Sequence, residues 1–139
     1  MINYNYECDF RLEDEQFFSD WITRVIESEN KSTGEIAYIF CDDDYLLEIN
    51  QQYLDHDTLT DIISFDYTEN DIISGDIFIS IDRVQDNADD FDTPFEEELK
   101  RVMIHGILHY CGYKDKSSDE EALMRNKEEE KINMFHVKH

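Results

Sequence analysis

Two runs near the middle of the chain, TDIISFDY at 60–67 and SGDIFISI at 74–81, carry the strongest strand signal. In the first, Ile63, Phe65 and Tyr67 alternate with Ile62, Ser64 and Asp66, which is the period of an extended strand. A short polar connection separates the runs, so they read as a hairpin. A hairpin needs further layers to bury its faces, and helical periodicity on both sides supplies them. EDEQFFSDWITRVIESEN places Phe17, Trp21, Ile22, Val25 and Ile26 at helical spacing behind an acidic first turn. DDDYLLEINQQYL reads as a second helix, with aspartates where a helix N-terminus favours negative charge. Residues 1–6 and Glu35–Cys41 read as strands, and residues 80–92 as an acidic helix.

DTPFEEELKRVMIHGILHYCGY predicts a long helix with Thr93 as N-cap, Pro94 at its first position and Glu96 completing a capping box. Leu99, Val102, Met103, Gly106 and Leu108 give it a broad apolar surface, and Gly112 stops it. A last helix begins near Ser118, where Ser118 and Glu121 repeat the capping-box spacing, and runs through Leu123, Met124 and Lys127 towards Ile132. The order β, α, β, α, β, β, α, α, α predicts a small mixed sheet covered by helices in α/β or α+β layers. A length of 139 residues suits one such domain.

Charge narrows the function classes. Twelve basic residues against 35 acidic ones leave a net charge of −23, a field that repels polyanions and keeps a chain dispersed. Nucleic-acid binding would then need a local basic groove or a bound cation. Cys8, Cys41 and Cys111 are too few and too scattered for a disulfide framework or a zinc ribbon, and read as reduced thiols. The N-terminus has no basic segment followed by an apolar stretch, and no apolar run is long enough to span a bilayer. The expectation is a cytoplasmic chain, neither exported nor anchored.

The chemistry concentrates in HGILHYCGYKD. His105 and His109 are four apart and share a helical face, and Gly112 lets the chain fold back so that Asp115 can approach them. A histidine pair on an amphipathic helix can also be ordinary packing, and Asp115 a solvated loop acid. As ligands, two imidazoles and a carboxylate suit Zn²⁺ and leave a fourth position open, as in catalytic sites. The same donors also accept Fe²⁺, Mn²⁺ or Ni²⁺. Zinc peptidases with H-E-x-x-H place their general base directly after the first histidine, and Gly106 stands there.

HGILHYCGYKDKSSDEEALM resembles the signature of the YbeY family, bacterial rRNA maturation factors described as zinc-dependent endoribonucleases. His105, Gly106, Leu108, His109, Gly112, Tyr113 and Met124 match its pattern, and LEINQQYLDHDTLTDIISFDY and SGDIFIS resemble two further family segments in order. The resemblance spans about residues 35–132. It implies an α+β fold, a small four-stranded mixed sheet packed with about five helices, forming a single metal-dependent hydrolase domain over 1–139. It also implies one zinc ion per chain in a cleft beside the histidine helix, with His105, His109 and Asp115 as catalytic and metal-binding residues. The implied activity is single-strand-specific RNA cleavage in rRNA maturation and ribosome quality control. The implied partners are ribosomal RNA or ribosomal particles, with no membrane and no DNA.

Two positions depart from the family. Its third ligand is usually histidine, and Asp115 occupies that slot. Its phosphate-contacting arginine falls on Leu54, and an arginine fork has no counterpart in leucine. His56, Lys114 and Lys116 are candidates to replace that charge, or plain surface residues. Asp42, Asp43 and Asp44 could hold Mg²⁺ or merely stabilise a helix start. Ser64 and Asp61 could line the cleft or end and fill a strand, and Asp76 could hydrogen-bond a loop or orient a ligating histidine. Cys111 reads as a buried small hydrophobe, and His136 and His139 as terminal residues outside the site. The alternatives to a nuclease are a ribosome-assembly binding factor with a mainly structural metal, or a metallohydrolase of another substrate such as peptide, which Gly106 disfavours.

Overall fold

A computed structural model describes residues 1–54 and 60–135. Nine elements follow in the expected order: β1 (Ile2–Tyr6), α1 (Glu15–Ser28), β2 (Ser32–Cys41), α2 (Asp43–Leu54), β3 (Ile62–Asp66), β4 (Ile72–Ser80), α3 (Ile81–Asp90), α4 (Phe95–Tyr110) and α5 (Ser118–Asn133). The strands form one mixed sheet in the order β1-β2-β4-β3. β1, β2 and β4 run parallel, and β3 is antiparallel to β4, so the two central runs form the expected hairpin, Ile63 opposite Phe78.

The alternation of the strands decides which helix covers which face. On one face Ile36, Tyr38, Phe40, Ile73, Ile77 and Ile79 pack with Trp21 and Ile22 of α1 and Met103 and Ile107 of α4. On the other, Cys41, Ile63, Phe65 and Phe78 pack with Leu46 and Ile49 of α2. α4 is buried on nearly every side, which is why its apolar surface is so broad. Gly106 lets it lie close to the sheet, since a Cβ there would come within 3.1 Å of Ile77 and 3.2 Å of Ile62. The Tyr38 hydroxyl donates to the Met103 carbonyl at 2.9 Å, and the Tyr110 hydroxyl lies 2.9 Å from the Phe65 carbonyl and 3.1 Å from that of Asp76. The histidine-bearing helix is thereby fixed to both central strands and to the β3 edge.

Two helix starts differ from expectation. The residue capping α4 is Pro94, with no side-chain cap; the Thr93 N–H instead donates to the Ala88 carbonyl and closes the end of α3. With its N–H committed to α3, Thr93 cannot donate the reciprocal bond to Glu96 of a capping box, and the Glu97 and Glu98 amides donate to the Pro94 carbonyl. At α5 the capping box is present one residue earlier than expected, between Ser117 and Glu120. The buried side of α5 is Met124, Glu128, Lys131 and Ile132, and Leu123 is exposed. No helix among the described residues is long and apolar enough to cross a membrane.

Candidate metal centre

α4 ends in a hydrogen-bonded reversal. The Gly112 N–H donates to the His109 carbonyl and the Tyr113 N–H to the Leu108 carbonyl, both at 3.0 Å, which is the pairing of a Schellman turn. Gly112 takes φ +108°, a backbone region that side chains with a Cβ disfavour. The reversal carries Asp115 back over the last turn of the helix. His105, His109 and Asp115 consequently converge, with His105 Nε2 at 3.0 Å from His109 Nε2 and Asp115 Oδ2 at 3.2 and 3.3 Å from the two nitrogens.

The remaining ring nitrogens decide what this convergence means. His109 Nδ1 lies 2.9 Å from the Tyr113 carbonyl, which only accepts, so that nitrogen carries the proton and Nε2 presents a lone pair. His105 Nδ1 lies 2.7 Å from Glu128 Oε2, and donation to this carboxylate likewise leaves Nε2 bare. Two lone pairs and a carboxylate oxygen then face one point with no donor among them. Such a set calls for a cation. Tetrahedral coordination at the usual Zn–N distance separates neighbouring ligand atoms by about 3.3 Å, close to the spacings observed. These three residues fit a metal ion.

The surroundings reinforce that demand. Burial opposes charge on His105, but the Glu128 hydrogen bond and charge, with Asp115 and Asp61, outweigh it and raise the imidazole pKa above its usual value. Glu128 is buried and is met by Arg101 Nη1 at 3.1 Å, while Arg101 Nη2 reaches Glu129 at 2.9 Å. On the His109 side the Tyr113 hydroxyl donates to Glu29 at 2.7 Å, and Glu29 accepts from buried Lys131 at 2.8 Å. Burial alone would push Glu29 up; the Lys131 and Tyr113 hydrogen bonds and the Lys127 charge hold it below the ordinary carboxylate range.

Beside the histidines opens a cleft of about 410 Å³, lined by His105 and Asp115 together with Asp61, Phe91, Arg101 and Arg125 among others. Asp61 is thus a cleft residue, and burial pushes its carboxyl up. Ser64 lies on β3 opposite Ile77 and is not among the cleft-lining residues. Leu54 is exposed at the end of α2, Lys114 and Lys116 are exposed on either side of Asp115, and His56, His136 and His139 lie outside the described residues. Asp42 caps the start of α2, accepting from the Tyr45 N–H at 2.9 Å, while Asp43 ties α2 to the start of α3, pairing with Arg83 at 3.0 Å and accepting from the Ser80 hydroxyl at 2.7 Å. Cys111 is half-buried against the core, and burial pushes its thiol up to about 11, so it stays a neutral thiol rather than a ligand.

Glu128 takes the place the sequence offered to Asp76. Neither histidine is hydrogen-bonded to Asp76 among the described residues, and its carbonyl instead faces Tyr110. The available signal was Glu128 four residues after Met124, on one face of α5. Reading it required knowing that this face packs on α4.

Residues 3–136 match the family model described as Endoribonuclease YbeY. A Flavobacterium psychrophilum protein named Endoribonuclease YbeY is 70% identical over 138 residues, covering 99% of each chain. A protein of the same name from Christiangramia forsetii is 61% identical over 136 residues, covering 98% of this chain and 95% of its own. The solution structure of a Thermotoga maritima protein superposes with a TM-score of 0.69 at 26% identity, covering 97% of this chain and 89% of that one.

Proposed function

Because the chain belongs to the YbeY family, we propose that it is a zinc-dependent endoribonuclease of ribosomal RNA maturation, with His105, His109 and Asp115 as its metal ligands and catalytic centre. The relatives' names support RNA as the substrate class. The observation that carries the metal reading is the convergence of His105 Nε2, His109 Nε2 and Asp115 Oδ2 within 3.3 Å of one another, while both Nδ1 atoms face other acceptors.

A bound Zn²⁺ supplies Lewis acidity toward a phosphoryl oxygen and makes a water acidic at neutral pH. The chain's own residues set the conditions for that chemistry. Glu128 and the Tyr113 carbonyl hold both Nδ1 protons and aim both Nε2 atoms at one point. Asp115 contributes the negative charge that two imidazoles lack. Asp61, a carboxyl pushed up by burial at the cleft wall, has the property a proton carrier needs. Gly106 faces Ile77 and Ile62 of the sheet, so the position of a peptidase-type base is used for packing.

We take residues 1–139 as one catalytic domain, working in the cytoplasm on single-stranded ribosomal RNA or on ribosomal particles. The test compares zinc-loaded protein with its His109→Ala variant on a precursor rRNA fragment. Cleavage by the first and its loss in the second is the expected result. Equal cleavage by both removes the nuclease reading, and ribosomal association retained without any cleavage favours an assembly factor.

A further inference from the structure

Most of the described lysines and arginines have partners. Arg11 and Arg24 donate to backbone carbonyls, and Lys31, Arg83, Lys100, Arg101, Lys127 and Lys131 each meet a carboxylate. Among the described residues, Lys114, Lys116 and Arg125 alone carry side-chain cations with neither a hydrogen bond nor an ion pair. A chain with 35 acidic and 12 basic residues offers partners for every cation, so three left unpaired call for an explanation. Of the three, only Arg125 is itself part of the cleft wall, beside His105; Lys114 and Lys116 are exposed neighbours of the cleft residue Asp115 in the chain.

The same cleft holds an unpartnered aromatic ring. Phe91, at the end of α3, is 58% exposed, lines the cleft, and stacks on no other ring among the described residues. Arg101 also lines the cleft, but Glu128 and Glu129 occupy its guanidinium, so it braces the wall. The cleft acids Asp61, Glu98 and Glu121 repel a phosphate, which must therefore be held at the free cations.

Resting on the nuclease reading above, we propose that this wall is a nucleotide subsite for single-stranded RNA, in which Phe91 stacks an unpaired base and Arg125 clasps a neighbouring phosphate. The guanidinium fork meets a phosphate bidentately and supplies the contact that Leu54 lacks. A ring offers its face to any base but only to one freed from a helical stack, which makes the subsite selective for single strands. Lys114 and Lys116 add attraction at the turn and extend the path of the backbone past Asp115.

The test uses the full zinc-loaded chain and a short fluorescent single-stranded RNA, with binding followed by anisotropy at several salt concentrations and the strand checked by gel to be intact after each reading. Arg125→Ala weakens binding by about tenfold and reduces the salt dependence by about one phosphate contact. Phe91→Ala weakens binding by about tenfold with an unchanged salt dependence, and Phe91→Leu does the same because bulk without a ring does not stack. An RNA duplex shows no loss with either Phe91 variant. Zinc content and thermal midpoint are measured on each variant to establish that these exposed positions leave the fold intact. If wild-type protein binds and the Arg125 and Phe91 variants bind equally well, or Phe91→Leu restores binding, the subsite is overturned while the nuclease reading stands. If wild-type protein neither binds single strands nor cuts the precursor rRNA fragment, both fall together.

Discussion

The two histidines sit one turn apart on α4 and are supported in different ways. His105 is oriented by Glu128, a buried carboxylate on another helix, 2.7 Å from its Nδ1. His109 is oriented by the Tyr113 carbonyl, a neutral acceptor in the turn that ends its own helix, at 2.9 Å. The first arrangement adds charge and depends on α5 docking against α4. The second adds none and depends on the backbone geometry that Gly112 permits. A carboxylate makes its imidazole a stronger ligand than a carbonyl does, so metal affinity should respond more to Glu128, and local stability more to the turn.

The largest expected effect tests the charged arm. Glu128→Gln keeps the shape and removes the charge, and zinc competition with a chromophoric chelator should show affinity weakened by about 10–100-fold. An unchanged affinity would break the contrast. Gly112→Ala strains a residue at φ +108° and should cost about 1–2 kcal/mol, read as a thermal midpoint lower by roughly 3–6 °C. Tyr113→Phe leaves the carbonyl in place but frees the turn from Glu29, and should weaken zinc by only a few-fold, well short of the Glu128 effect. A loss as large as that of Glu128→Gln would make the two arms equivalent.

The smallest effect depends on pH. Glu29 is held below its usual pKa, so its ionised form contributes stability above the unfolded-state value near 4.3, and that contribution fades as pH falls through the folded value. Glu29→Gln should therefore be less stable than the parent by about 1 kcal/mol at neutral pH, with the gap closing below about pH 4. Denaturant titrations at several pH values measure it, and a gap that widens in acid contradicts the assignment.

The same contrast explains what the sequence made legible. Local features were readable: the strand alternation of β3 and β4, the histidine spacing, the reversal at Gly112 and the return of Asp115 all involve neighbours within a few residues. Glu128 and Arg101 were not, because their roles exist only once α5 lies against α4. The missed capping residues are local but compete with packing: Thr93 spends its N–H on the end of α3, and Ser117 rather than Ser118 meets Glu120. Asp76, in the Gly-Asp-Ile strand, is not the group that reaches His105; the Glu128 carboxylate is.

The central claim is that His105 and His109 present Nε2, with Asp115, to one metal ion. Zinc titration of the ¹⁵N-histidine-labelled chain, followed by nuclear magnetic resonance, tests it most directly. The account predicts saturation at one equivalent, large shifts of the His105 and His109 Nε2 signals, Nδ1 protons retained on both rings, and loss of the response in Asp115→Asn or its marked weakening. Zinc that leaves these Nε2 signals unmoved, or that binds through Nδ1, would contradict it.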